Sequence, residues 1–241
     1  MIGKVRNKAQ RQRKNAKVLH DLVTNRAIHR STHDQYRTEV LRRYGGPQGA
    51  LLAVASTLSG HLAASDRLLR ERHFNLSGAK CILDIGSGAG QLLKPVLKYA
   101  DSDATVIGCD LSAMMLRRAR ARLKTSRPSF TTADLAHLPF ADESFDCITC
   151  GYVLEHLPDA RVGLREMARI LKPSGRILLF VTEDSLSGAW TSRLWSCRTH
   201  NRRDLREMCN QIGLSWTKEL WFSRWHKLLR AGGICVEIEK R

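Results

Sequence analysis

Three aspartates and one glycine-rich turn have the types and spacing to bind a small charged molecule. The stretch CILDIGSGAGQLL, residues 81–93, places Gly86, Gly88 and Gly90 between two apolar runs, with Asp84 two residues ahead of the turn. A turn with so little side chain lets backbone approach a ligand and lets φ become positive. The first two glycines fit the dinucleotide pattern G-x-G-x-x-G, which wants its third glycine at position 91; that residue is Gln91. A pyrophosphate would gain from the positive end of a following helix. An acid beside the turn opposes a phosphate, so Asp84 and the spacing G-x-G-x-G favour a ligand that carries positive charge there.

The other two acids close short apolar runs. Asp110 ends VIGCD, where a carboxylate can accept both hydroxyls of a ribose; Asp110 or Ser112 would equally serve as the cap of the next helix. Asp134, in TTADLAHLPF, can accept an exocyclic amine of an adenine, or be an ordinary loop aspartate. His156, in LEHLPD, is the general-base candidate because imidazole titrates near neutrality. Its plainer reading is that Glu155 and His156 line the pocket or cap the loop. Cys147 and Cys150 form a C-x-x-C within FDCITCG, but positions three apart on a strand face opposite ways, which suits core packing and not a metal or a disulfide.

These residues need a frame to hold them. Strands are predicted at 80–84, 104–109, 128–132, 144–150 and 175–181, with helices at 89–100, 112–124 and 159–171 between them. That alternation implies an α/β fold with a parallel sheet covered by helices on both faces. A helix from Asn201 and strands at 215–222 and 233–239 follow. Ahead of the sheet lie a basic arm (1–16) and a helical region (17–74) that would cap the site, including the amphipathic segment 18–28, HDQYRTEVLRRYGG and the apolar stripe from Leu51 to Leu62. The core then runs over 75–241, with a lid insertion at about 184–200.

Forty Lys and Arg against 23 Asp and Glu give a net charge of +17. Much of it lies in the first 17 residues and in the cluster from Arg117 to Arg127. Such asymmetry suggests an anionic partner, a nucleic acid or an acidic membrane surface, unless these are solvated faces. No apolar run follows the basic start, so a secretory signal is not expected, while an organelle transit sequence fits the Arg-rich opening. The most apolar window, 49–65, is too short and polar to span a bilayer. Seven cysteines without framework spacing suit a reducing, cytoplasmic compartment.

Taken together, the glycine turn, the acid after strand two, ADLAHLPF, FDCITCGYVLEHLPD and LREMARILKPSGRILLF resemble the class I S-adenosylmethionine-dependent methyltransferases. Within them the chain is most similar to the group containing ubiquinone and menaquinone biosynthesis methyltransferases. The resemblance covers residues 75–182 and implies a Rossmann-like, seven-stranded mixed sheet of order 3-2-1-4-5-7-6 with strand seven reversed. It implies S-adenosylmethionine as methyl donor, S-adenosylhomocysteine as product, and no metal. Asp84, Gly86, Ser87, Gly88 and Gly90 would hold the methionine part, and Asp110 the ribose. Leu111 and Met114 would pack on the adenine, Asp134 and Leu135 would recognise its edge, and Cys150, Gly151 and Tyr152 would lie beside the sulfonium methyl. Tyr36 and Tyr44 could close over the donor as further catalytic candidates beside His156.

The acceptor is less legible. The (N/D)-P-P-(Y/F) turn of nucleobase amine methylation is replaced by Cys150-Gly151-Tyr152-Val153, and a cytosine-type nucleophile at Cys150 lacks the proline expected before it. Leu186, Trp190 and Leu194 make an apolar helix face in the lid, with Trp195 adjacent; Trp221, Phe222, Trp225, Leu228 and Leu229 add bulk among cationic residues. Tryptophan mixed with Arg and Lys suits a membrane interface or stacking on single-stranded nucleic acid. Three readings follow: a peripheral-membrane enzyme methylating a quinone precursor or a phospholipid amine headgroup, a soluble small-molecule methyltransferase, and an RNA-binding protein using the donor pocket for regulation. The first is the working expectation.

Overall fold

The computed structural model describes residues 32–45, 61–195, 197–221 and 233–241. The basic arm, the segment 18–28, the stripe from Leu51 to Leu58, and Phe222, Trp225, Leu228 and Leu229 lie outside the described residues.

The short apolar runs become strands, and they pair into one sheet. These are β1 (Cys81–Ile85), β2 (Thr105–Asp110), β3 (Ser129–Thr132), β4 (Phe145–Gly151) and β5 (Leu171–Val181). β6 (Leu214–Leu220) and β7 (Ile234–Lys240) complete one seven-stranded sheet of order β3-β2-β1-β4-β5-β7-β6. The β1, β2, β3, β4 and β5 pairings are parallel, and β7 runs antiparallel to both β5 and β6. The strand order reverses beside β1, so the β1 and β4 carboxyl ends flank the crevice in which open α/β sheets bind ligands.

Helices α1 (His33–Gly45) and α2 (His61–Arg70) precede the sheet; α3 (Leu93–Tyr99), α4 (Ala113–Leu123) and α5 (Ala160–Ile170) cross between strands. α6 (Leu186–Trp195) and α7 (Arg202–Gln211) follow β5. α5 shows why such a segment folds: the Asp159 carboxylate caps it by accepting the Arg161 N–H, and Ala160, Leu164, Met167 and Ala168 form one buried stripe.

Two apolar clusters cover the two faces of the sheet. Leu83, Ile85, Ile148 and Cys150 belong to the one under α5, and Ile82, Val106 and Cys147 to the one under α2 and α3. Cys147 and Cys150 therefore point to opposite faces, as the strand period requires.

Two boundaries differ from the sequence expectation. α3 begins at Leu93, four residues later than 89, because the glycine turn is followed by further turn and the N-cap Leu92 offers no side-chain oxygen. β5 begins at Leu171, not 175: Leu171 already pairs with Phe145, the ladder resumes at Cys147 and Arg176, and the residues between loop out around Ser174 at φ +59°.

Candidate active site at the carboxyl edge of the sheet

Asp84 and Thr149 are register partners across β1 and β4, so the Thr149 hydroxyl meets the carboxylate directly, donating to Oδ1 at 2.6 Å. Oδ2 is buried with no hydrogen-bond partner. Burial pushes this carboxyl up to about 7. Next to it, the turn is locked from both sides. The Ser87 N–H donates to the Cys109 carbonyl at 2.9 Å, and its hydroxyl to the Asp84 carbonyl at 2.9 Å. Gly86 has φ +68°, and a Cβ there would lie 2.1 Å from Val153 Cγ2, so the turn packs against the loop after β4 with no room for a side chain.

Asp110 reaches back to the same turn. Its Oδ2 accepts the Gly88 N–H and its Oδ1 the Ser112 N–H, both at 2.8 Å. Burial raises this carboxyl while the two backbone donors oppose the rise. Ser112, not Asp110, is the N-cap of α4, its hydroxyl accepting the Met115 N–H. Leu111 is half-buried, and Met114 is exposed on the first turn of α4.

Asp134 has company that local sequence does not reveal. Its Oδ1 accepts the Ala136 N–H at 2.9 Å, while Oδ2 faces His33 Nε2 at 3.0 Å and Arg37 Nε at 3.5 Å, both from α1. The His33 and His137 rings meet edge-on at 6.4 Å. α1 thus lies against the edge that carries Asp134. Tyr36 and Tyr44 are on this helix, and their side chains lie outside the described residues. Leu135 is buried, its side chain against Gly163 of α5.

At the end of β4, Cys150 is buried and desolvation raises its thiol well above the usual range. Gly151 packs against Leu92. Tyr152 then adopts φ +58° while its N–H donates to the Phe180 carbonyl at 2.8 Å. That conformation is costly for a residue with a Cβ and turns the chain sharply into a 3-10 turn, Leu154–His156. Within it Glu155 is buried, accepting the Thr182 N–H on Oε2 at 3.2 Å and the Thr182 hydroxyl on Oε1 at 2.6 Å. Burial lifts this carboxyl to about 7 as well. His156 is half-buried, and its carbonyl accepts from Arg198 at 3.4 Å.

The segment expected as a lid contains α6, whose Trp190 is 69% exposed. Its neck is closed by residues that sequence reasoning missed. Glu183 and Arg202 form a buried ion pair at 2.6 Å, Arg202 stacks on Trp221 at 4.4 Å, and Glu183 bridges to His200. No local pattern marks Glu183, His200 or Arg202; only pairing across the lid does.

The edge therefore gathers Asp84, the glycine turn and Asp110 at one point, with Asp134 under α1 on the β3 side. An unpaired buried carboxylate oxygen and a backbone cradle without side chains fit the ammonium and methionine chain of an S-adenosyl donor, and Asp110 fits its ribose. Residues 83–179 match the family described as "Methyltransferase domain". Over 102 residues the chain is 39% identical to the ubiquinone/menaquinone biosynthesis C-methyltransferase of Cellvibrio japonicus, covering 41% of each chain. It is 38% identical over 100 residues to the demethylmenaquinone methyltransferase of Paenarthrobacter aurescens, covering 41% of this chain and 37% of that one. The solved magnesium protoporphyrin IX methyltransferase of Synechocystis, with bound S-adenosylmethionine, shares the fold at TM-score 0.66 and 20% identity, covering 86% of this chain and 97% of that one. Over this core the chain is thus similar to S-adenosylmethionine-dependent methyltransferases, among them the ubiquinone/menaquinone group. The chain spans about two fifths of the length of these two curated relatives.

Proposed function

We propose that this protein transfers a methyl group from S-adenosylmethionine to a ring carbon of a hydroquinone-like, lipid-like acceptor. The observation that carries the donor half is the unpaired Oδ2 of Asp84 beside a turn built of backbone. The acceptor half rests on the names of the relatives, which act on ubiquinone and menaquinone precursors. When bound, the donor supplies an electrophilic methyl on a positively charged sulfur. The chain's own task is to hold and align: Asp84 and the Gly86–Gly90 backbone for the methionine part, Asp110 for the ribose, Asp134 for the adenine edge. Alignment of this kind contributes about 7–11 kcal/mol in favourable cases. His156 is the candidate to accept a proton from the acceptor.

A membrane-surface setting draws support from α4, whose Arg117, Arg122 and Lys124 have no carboxylate partner among the described residues. Cations of this kind suit anionic headgroups, and Trp190 offers an apolar contact on the lid. Among the described residues no helix is long and apolar enough to cross a membrane.

Titration of S-adenosylhomocysteine into the protein by calorimetry tests the donor site, and labelled methyl transfer to a reduced polyprenyl quinone precursor tests the acceptor. A folded protein that binds no S-adenosylhomocysteine sinks the reading. Flotation with anionic against neutral vesicles separates the membrane setting from a soluble enzyme, and a steep salt dependence of RNA affinity would favour a nucleic-acid partner instead.

A further inference from the structure

α1 is seated differently from the helices that cross between strands. α5 buries Ala160, Leu164, Met167 and Ile170 against the sheet. Among the described residues of α1 no side chain is buried, and Leu41 faces solvent. Polar contacts fasten it at one end. His33 Nε2 donates to Asp134 Oδ2 at 3.0 Å, and Arg37 Nε stands 3.5 Å from the same oxygen. The helix also touches α4. It therefore bridges the loop after β3 and the helix after β2. Those two elements carry Asp134 and Met114, the residues read as gripping the adenine from its edge and its face. An element with so little buried apolar surface opens at a fraction of the cost of global unfolding.

The Asp134 carboxylate has capacity beyond these bonds. Oδ1 accepts the Ala136 N–H and Oδ2 the His33 N–H, and each oxygen keeps a second lone pair. Its side chain is 13% exposed, so a ligand can reach it. An exocyclic amine can be accepted there while His33 stays in place. Helix and adenine are thus compatible neighbours, not rivals for one atom.

We propose that α1 is a cover over the adenine end of the donor site, latched by His33 and Arg37 onto Asp134, and that its opening sets how fast the donor enters and leaves. The inference rests on the donor reading given above. The latch is made of partly exposed charges and the cover has no apolar seat among the described residues, so opening breaks a few polar contacts and leaves the sheet intact. His33 and Arg37 are positioning residues: they act through Asp134 and α1, away from the methyl that is transferred.

The test pairs surface plasmon resonance, reading S-adenosylhomocysteine on the immobilised full chain, with hydrogen exchange of the α1 and β1 amides. The double variant His33→Ala/Arg37→Ala should raise the association and dissociation rate constants together by about fivefold, the scale of a partly exposed ion pair. Affinity should stay within about twofold. The α1 amides should exchange faster by the same factor while the β1 amides, which report the folded core, do not change. His33→Gln places an amide N–H near the Nε2 position and should recover most of the slow exchange. Unchanged rate constants overturn the latch, whether or not the α1 amides exchange faster. Faster dissociation alone, with affinity lost in proportion, overturns it too and makes His33 and Arg37 direct contacts of the donor. A β1 that loses protection along with α1 would make the pair part of the frame, against the proposal. If the wild type binds no S-adenosylhomocysteine, the donor reading itself falls, and the cover with it.

Discussion

Asp84 and Glu155 are both buried carboxyls, each lifted by desolvation to about 7, and they sit at the ends of neighbouring structural units. Their surroundings differ in one respect. Both oxygens of Glu155 are occupied by Thr182, while Asp84 has a Thr149 bond on Oδ1 and nothing on Oδ2. A perturbed carboxyl by itself thus distinguishes neither role. Glu155 ties the 3-10 turn to β5; Asp84 holds an unmet demand for a donor. Between these two carboxyls the unmet bond, not the shifted ionisation, is what marks Asp84 as the one with capacity for a ligand.

The comparison breaks most sharply on the acid that bridges turn and helix. Asp110→Ala removes the partner of both Gly88 and Ser112, and should lower S-adenosylhomocysteine affinity about a hundredfold or more in calorimetry. Next in size, Glu155→Ala leaves the Thr182 N–H and hydroxyl without acceptors and should cost about 2–3 kcal/mol in urea unfolding. Its S-adenosylhomocysteine affinity should stay within about threefold of wild type if the turn re-forms; a larger loss would move Glu155 into the binding site. Asp84→Asn reverses that pattern, with affinity down about tenfold at pH 8 and little change in stability.

The smallest effect is read against pH. An ammonium bound beside Asp84 favours its charged form, so S-adenosylhomocysteine affinity should fall as pH drops below about 7, levelling off at about tenfold in all, and Asp84→Asn should flatten that fall. Stability of the free protein runs the other way. Between the unperturbed carboxylate range near 4 and about 7, the folded Asp84 and Glu155 keep protons that the unfolded chain has released. Their contribution therefore makes stability decline as pH rises through that window. A thermal-melt series from pH 5 to 8 on Glu155→Gln should show a shallower decline than wild type, and an unchanged slope would mean Glu155 does not titrate there.

Much of this frame was legible because its signals are local. Apolar runs closed by Asp84, Asp110 and the turn at Gly86 name the strand ends, and the match of FDCITCG and LKPSGRILLF to a known family supplies the strand order. The start of β5 at Leu171 was not legible, since only pairing with Phe145 makes a strand of LKPS. Nor was the engagement of Asp134, whose partners His33 and Arg37 stand about a hundred residues earlier in the chain. Glu183, Arg202 and His200 escaped for the same reason: each is defined by a partner across the lid, and single-residue types carry no record of such closure.

The Glu183–Arg202 pair has a further consequence. Arg202 also donates to the Gly233 carbonyl at 3.1 Å, so the points where the chain leaves β5 and returns from the lid are pinned together and to the start of β7. Everything between is a cassette with a clamped neck. Lengthening it at its exposed parts adds closure entropy of about 0.6 kcal/mol for each doubling of length, while the buried Ala189, Ser192 and Cys197 tie the rest of it to the core. A segment can then be exchanged between these two points while the Asp84 side keeps its geometry, which makes the neck a natural splice point.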